Sequence, residues 1–387
     1  MPAPIGSLVR PGRDLRVDVL RGIALWFIFV DHTPGNLLGQ ATLRNVAFCD
    51  ATEFFVLLAG YAGGIAYGRM LEREGWLRAA GRVAGRVGTL YVAHIFLFVV
   101  FTAQVGFSAA ALDQAAYLDE LQLDPFGQEP YRALLEALLL RYQPAFLDIL
   151  PLYIVLLAMF VPALPLLARP GLLLALSATL YVAARLLDWE LPSWTGSGWF
   201  FNPLAWQFLF AIGVALARAD PQRLARLLPW NRGMAVLGLL AMAGTALLLN
   251  LVWHGPFRGV EAPEWLASAL SSVDKTGLHP ARLASVLFLT WLLGHLIPAG
   301  SGWLNGALAA PFALMGQHSL PVFCAGIFLS FLGRLAIEAS AGAAMQVAVN
   351  LAGLAALILV GIVSAWYAEG GRGRKGALPA PAQGARP

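Results

Sequence analysis

The chain has 387 residues, of which 59% are hydrophobic and only 12% charged, with a formal net charge of +4 and a mean hydropathy of +0.69. A water-soluble globular chain carries about 25% charged residues, so this composition excludes a cytosolic enzyme, a disordered chain and a fibrous protein. It points to a polytopic membrane protein whose surplus apolar surface faces lipid. Two cysteines, Cys49 and Cys324, cannot build a disulfide framework. The positive charge is too small and too dispersed to argue for nucleic acid, and no strand alternation is long enough for an outer-membrane barrel. The first apolar run begins only after Arg10, Arg13 and Arg16 and has no small-residue cleavage site, so no cleavable signal peptide is expected.

A membrane-spanning helix takes about 20 mostly apolar residues. On that template the segments near 17–37, 48–68, 88–107, 146–167, 171–188, 203–218, 233–253, 283–299, 309–333 and 343–367 read as spans. The expectation is an all-α, polytopic integral membrane protein with about ten transmembrane helices. Residues 1–16 form a cytoplasmic N-terminal segment, 17–367 the transmembrane domain, and 368–387 a cytoplasmic tail. The Pro/Ala-rich Ala377–Pro387 marks that tail as disordered. Arginine placement sets the orientation: Arg69, Arg73, Arg78, Arg82 and Arg86 cluster between the second and third spans, and short loops rich in Lys and Arg stay cytoplasmic. Both termini then lie inside, as in a bacterial inner membrane. The longest extramembrane segments, 108–145 and 254–282, fall outside. No internal repeat stands out, which lowers the expectation of an inverted-repeat transporter.

Ionisable groups inside a span are costly and mark candidate sites. The first span, RVDVLRGIALWFIFVDHTPGN, carries Asp18, Arg21, Asp31 and His32; the second opens with RNVAFCDATEFFVLLAGYAGG, carrying Asp50 and Glu53. Arg21 and His32 are eleven residues apart, about three helical turns plus 20°, and so share one face about 16.5 Å apart along the axis. A cation at the inner mouth and an imidazole near the outer end suit a long anionic substrate lying between them, with histidine as general base. Arg21 also fits an ion pair with Asp18 or a snorkelling interfacial side chain, and His32 also fits an interfacial histidine without chemistry. Glu53 needs a partner at that depth. A hairpin of the first two spans brings it towards His32, where it would orient the ring; pairing with Arg44 is the other reading. Asp148, Asn202, Gln207, Lys275, His279, Arg282, Gln317, His318 and Ser319 are weaker polar positions, and His318 reads first as a helix–helix hydrogen bond. His94, His254 and His295 receive no role. No cluster has metal-ligand spacing, and no nucleophile elbow, Walker loop or dinucleotide fingerprint is present.

RGIALWFIFVDHTPGN followed by TLRNVAFCDATEFFVLLAGYAGGIAYGR resembles the opening of the OpgC family, within the acyltransferase-3-like membrane acyltransferases. DILPLYI (148–154), NPLAWQFLF (202–210), KTGLHPAR (275–282) and GQHSLPVFC (316–324) continue the resemblance in order, over most of the chain. In that wider class an arginine, ten residues and a histidine occupy the first span, here Arg21 and His32. An acidic residue precedes an FFVLSG-like run in the second, here Glu53, with Ala59 where serine is usual. The resemblance implies succinyl transfer from cytoplasmic succinyl-CoA to hydroxyls of periplasmic glucans, with no permanently bound cofactor and no metal.

On this reading His32 is the base, with Glu53 or Asp31 orienting it. Arg21, Arg82 and Arg86 hold the donor's phosphates. Asn36, Asn45, Gln317 and His318 are candidate oxyanion donors, and Arg44, Lys275 or Arg282 meet the succinyl carboxylate. Acetyl transfer to a polysaccharide on the same fold is an alternative. A proton-coupled transporter or flippase for a polar solute, with His32 and Glu53 as a proton relay, is another.

Overall fold

The computed structural model describes Val9 and residues 14–196, 198–251, 263–340 and 342–376, with side chains through Glu369. The expected tail Ala377–Pro387, together with Arg10, Arg13, His254 and Arg258, lies outside the described residues. The chain is 79% helical, and the described residues contain no strand. The principal helices are α1 (Leu15–Asp31), α2 (Ala51–Glu74), α3 (Trp76–Ala111), α4 (Ile149–Ala163), α5 (Pro170–Leu186) and α6 (Pro203–Arg218). They continue with α7 (Arg232–Leu249), α8 (Pro280–Leu296), α9 (Ala309–Gln317), α10 (Ser319–Ala339) and α11 (Ala343–Gly376).

Among the described residues six helices are long and apolar enough to cross a membrane: Ala51–Glu74, Trp76–Ala111, Ile149–Ala168, Arg232–Leu249, Ser319–Ala339 and Ala343–Glu369. Three shorter apolar helices, α5, α6 and α8, lie among them. The protein is thus an all-α membrane protein. Several boundaries differ from the hydropathy reading: α1 stops at Asp31, short of the expected 37, and α3 runs over Trp76–Ala111, beyond the expected 88–107. The segment expected as one span over 309–333 is two helices broken at His318, because Pro321 has no N–H to donate to the carbonyl of Gln317 and its ring crowds that carbonyl. At the C-terminus, α11 runs on to Gly376, past the expected limit at 367.

Helix starts follow from short polar side chains. Asp14 caps α1 by accepting from the Arg16 amide at 3.1 Å. Asp50 caps α2 in a capping box: its carboxylate accepts from Thr52 N at 2.7 Å, and Glu53 reaches back to the Asp50 amide at 2.9 Å. Helix α2 ends at Gly75, whose φ of +80° suits glycine, and α3 begins at the next residue.

Close backbone contacts then set the frame. A Cβ on Gly22 of α1 would lie 2.0 Å from Phe312 O of α9, and one on Gly60 of α2 would lie 2.1 Å from Phe210 O of α6. Small residues let these helices approach backbone to backbone, the packing that association in lipid favours. Helix α1 also packs against α2 and α10, which fixes the ends of the first two helices beside each other. Around that end, short helices at 116–120, 124–128 and 130–138 form a cap. Buried Arg334 of α10 pins the cap by pairing with Glu120 and Glu338 and lying over the Tyr117 ring.

Candidate functional site

A cavity of about 470 Å³ lies at the capped end of the bundle, lined by His32, Asp31, Arg44, Asp50, Asp148 and Lys275 among others. His32 closes α1, since Thr33-Pro34-Gly35 cannot prolong the helix. Its Nδ1 lies 2.7 Å from the Ile28 carbonyl. A carbonyl only accepts, so Nδ1 carries a proton, and in the neutral ring the lone pair is then on Nε2. The ring of Phe146 stands edge-on to the imidazole, with centroids 4.6 Å apart at 74°. Phe146 holds a φ of +73°, unusual for a bulky residue. Gln122, with φ +56°, lines the same cavity. Left-handed backbone at non-glycine residues collects where the surroundings over-determine a site.

The other wall is a buried network of two carboxylates and two cations. Lys275 Nζ lies 2.6 Å from Asp50 Oδ2, and Arg282 bridges Glu53 at 2.6 Å and Asp50 at 3.4 Å. Lys275 also sits over the Phe201 ring, 5.3 Å from its centroid. The expectation that Glu53 orients His32, or else pairs with Arg44, meets a different arrangement. One oxygen of Glu53 accepts from the Asp50 amide and the other from Arg282 Nε. The element that orients His32 is instead the carbonyl of Ile28. Asp31 accepts from Thr42 Oγ1 at 2.6 Å. Arg44, exposed at the cavity edge, makes no hydrogen bond or ion pair with the described residues.

A second cavity of about 640 Å³ adjoins the first and shares Asp31, Arg44 and Arg282 with it. Asn36 and Asn45 lie there. Asn36 forms a reciprocal amide pair with Asn350, at 3.0 and 2.9 Å, and Asn45 donates to Gly39 O at 2.8 Å. Gln317 and His318 do not join either cavity: Gln317 Nε2 donates to Asp18 Oδ2 at 2.9 Å, across α9 and α1.

Arg82 and Arg86 lie at the opposite end of the bundle, lining a cavity of about 660 Å³ with Tyr67, Glu74 and Arg78. Their spacing, with Arg78, is four residues each time, one stripe of α3. Between the two ends is a cleft of about 20 Å³ lined by Phe55, Ala59, Arg86, Leu90, Tyr153 and others. It shares Arg86 with the arginine cavity and Ile149 and Phe323 with the His32 cavity. Arg21 is buried behind this cleft, donating to Leu58 O at 3.3 Å and lying 6.0 Å from the Phe55 centroid. The sequence reading missed Phe146, Thr52 and Phe201 as site residues. A left-handed phenylalanine carries no sequence signal, whereas the Asp50-x-x-Glu53 capping box does.

The arrangement can support proton transfer. An oriented imidazole lines a cavity beside the paired Asp50, Glu53, Lys275 and Arg282, and a small cleft that shares lining residues with both ends lies between it and the three arginines. No curated protein and no solved structure matches the chain. Residues 13–369 match the family model described as OpgC protein, so the chain belongs to the OpgC family and with it to the membrane acyltransferases that act in osmoregulated periplasmic glucan modification.

Proposed function

We propose that the protein moves a succinyl group from cytoplasmic succinyl-CoA to a hydroxyl of a periplasmic glucan across the bacterial inner membrane, with both termini in the cytoplasm. The observation that carries this reading is the continuity of linings: Arg86 belongs to both the arginine cavity and the cleft, and Ile149 and Phe323 to both the cleft and the His32 cavity. A donor whose polyanionic head stays with Arg82 and Arg86 and whose thin arm follows the cleft presents its thioester to His32. Arg21 then holds the Phe55–Ala59 wall from behind.

In the transfer step Nε2 of His32 takes the proton of the glucan hydroxyl as that oxygen attacks the thioester carbonyl. The tetrahedral intermediate collapses with cleavage of the C–S bond. The CoA thiolate leaves and takes the proton back from the imidazolium, so the products are a glucan ester and CoA–SH. Thr52 and Lys275 are polar groups of the His32 cavity available to the oxyanion, whereas the amides of Asn36 and Asn45 lie in the second cavity and already donate to Asn350 and Gly39; Arg44 is the cation available to the free succinyl carboxylate.

The test uses purified full-length protein with labelled succinyl-CoA. Free CoA and labelled glucan should form together, and only with glucan present. Glucan that gains mass while the thioester stays intact, or solute movement without thioester cleavage, contradicts the reading. A mass gain of acetyl rather than succinyl from the corresponding donors would assign the acetyl alternative.

A further inference from the structure

Two cavities meet at the capped end, and their linings differ. His32, Asp148 and Phe146 belong to the first only; Gln40, Phe48 and Leu270 belong to the second only. The cleft towards the arginine end shares residues with the first cavity and none with the second. A donor arriving through the cleft therefore enters the His32 cavity and leaves the second one free.

Away from the Asp31, Arg44 and Arg282 that it shares with the first cavity, the lining of the second carries no charged side chain. The Gln40 side chain, exposed at its edge, makes no hydrogen bond with the described residues and offers both donor and acceptor groups. Phe48, Leu249 and Leu270 supply apolar surface on the same lining. Amide groups beside an aromatic face match a sugar, whose rim of hydroxyls needs donors and acceptors and whose C–H face needs apolar cover. The floor is held rigidly: Gln346 accepts from Leu37 N at 3.1 Å and donates to Gly35 O at 2.9 Å, and the Asn36–Asn350 pair ties the same loop to α11. A fixed floor suits recognition that depends on placement.

We propose that this second cavity is the acceptor subsite, which takes a neutral oligosaccharide and presents one hydroxyl at the wall formed by Asp31, Arg44 and Arg282. The proposal rests on the acyltransferase reading above and divides its site into a donor compartment and an acceptor compartment. Asp31, Arg44 and Arg282 line both cavities, so a hydroxyl presented at that wall borders the cavity that His32 lines.

The experiment uses full-length protein, succinyl-CoA, and glucan prepared from cells lacking the protein. Gln40→Trp places a bulky ring at the compartment's edge, and Gln40→Ala removes the amide. Gln40→Trp should raise the KM for glucan by at least about tenfold, leaving the KM for succinyl-CoA unchanged, with a smaller rise for Gln40→Ala. Calorimetric binding of the glucan to the resting protein should weaken in parallel. A rise in the succinyl-CoA KM instead, or an unchanged glucan KM and affinity for Gln40→Trp, overturns the subsite. Wild-type protein that binds glucan in a Gln40-dependent way yet releases no CoA supports the subsite and overturns the acyltransferase reading.

Discussion

The imidazole of His32 donates from Nδ1 to the carbonyl of Ile28, 2.7 Å away and one helical turn behind it. The Ile28 carbonyl already accepts from the His32 amide at 3.0 Å, and the ring of the same residue takes its second lone pair. That bond places the proton of the neutral ring on Nδ1 and holds the imidazole in the cavity lining, the task a carboxylate performs in many base-orienting arrangements. Removing the base should lower transfer by about 10²–10⁴-fold. His32→Ala and His32→Gln are the variants, with membrane insertion checked by fractionation. Gln can restore the bond to Ile28 but not the base, so it should be as inactive as Ala. Activity retained by Gln alone would reduce His32 to a structural residue.

Glu53 and Arg282 form the innermost pair of the charge network at 2.6 Å, with Glu53 fully buried. Removing one partner strands a buried charge and typically costs about 3–5 kcal/mol. Glu53→Ala should therefore lower the unfolding midpoint of the detergent-solubilised protein substantially. The double variant Glu53→Gln with Arg282→Met should recover part of the loss. A Glu53→Ala protein as stable as wild type would show that the pair does not hold the second helix to α8.

Arg44 is the cation at the His32 cavity that pairs with no described residue. A hydrogen bond to a charged group is worth about 1.5–3 kcal/mol, so Arg44→Ala should reduce kcat/KM for succinyl-CoA by about 10–100-fold at saturating glucan. Butyryl-CoA, of similar length but without the carboxylate, should be transferred as well as by wild type. Equal losses with both donors would remove Arg44 from acyl recognition.

Ala59 is buried and lines the small cleft that the proposed donor arm follows. Ala59→Leu adds three carbons where about 20 Å³ is open. It should cut transfer by at least about tenfold, whereas Ala59→Ser should remain near wild type. Full activity in the Leu variant would place the donor elsewhere.

Much of this architecture could be read in the sequence, because lipid exposure writes itself into long apolar runs and helix starts into short polar caps such as Asp14 and Asp50. The His32 position and its proximity to Asp31 and Arg44 were also legible, since all three lie within one short stretch. What was not legible depends on pairing over distance. Glu53 finds Arg282, 229 residues away, through the packing of α8 on α2. The break at His318 was masked by uniform hydropathy on both sides of Pro321. Arg21 and His32 do sit on one helix, but the passage runs past Phe55, Ala59 and Leu90 on α2 and α3, faces that no pattern within α1 reveals.

The account stands most directly on the side from which the donor enters. In sealed, inverted membrane vesicles loaded with unmodified glucan, the proposed topology turns the arginine end of the protein to the outer medium. Succinyl-CoA added outside should succinylate the enclosed glucan while free CoA accumulates outside. Transfer that requires succinyl-CoA inside the vesicles would contradict a donor reaching His32 through the bundle.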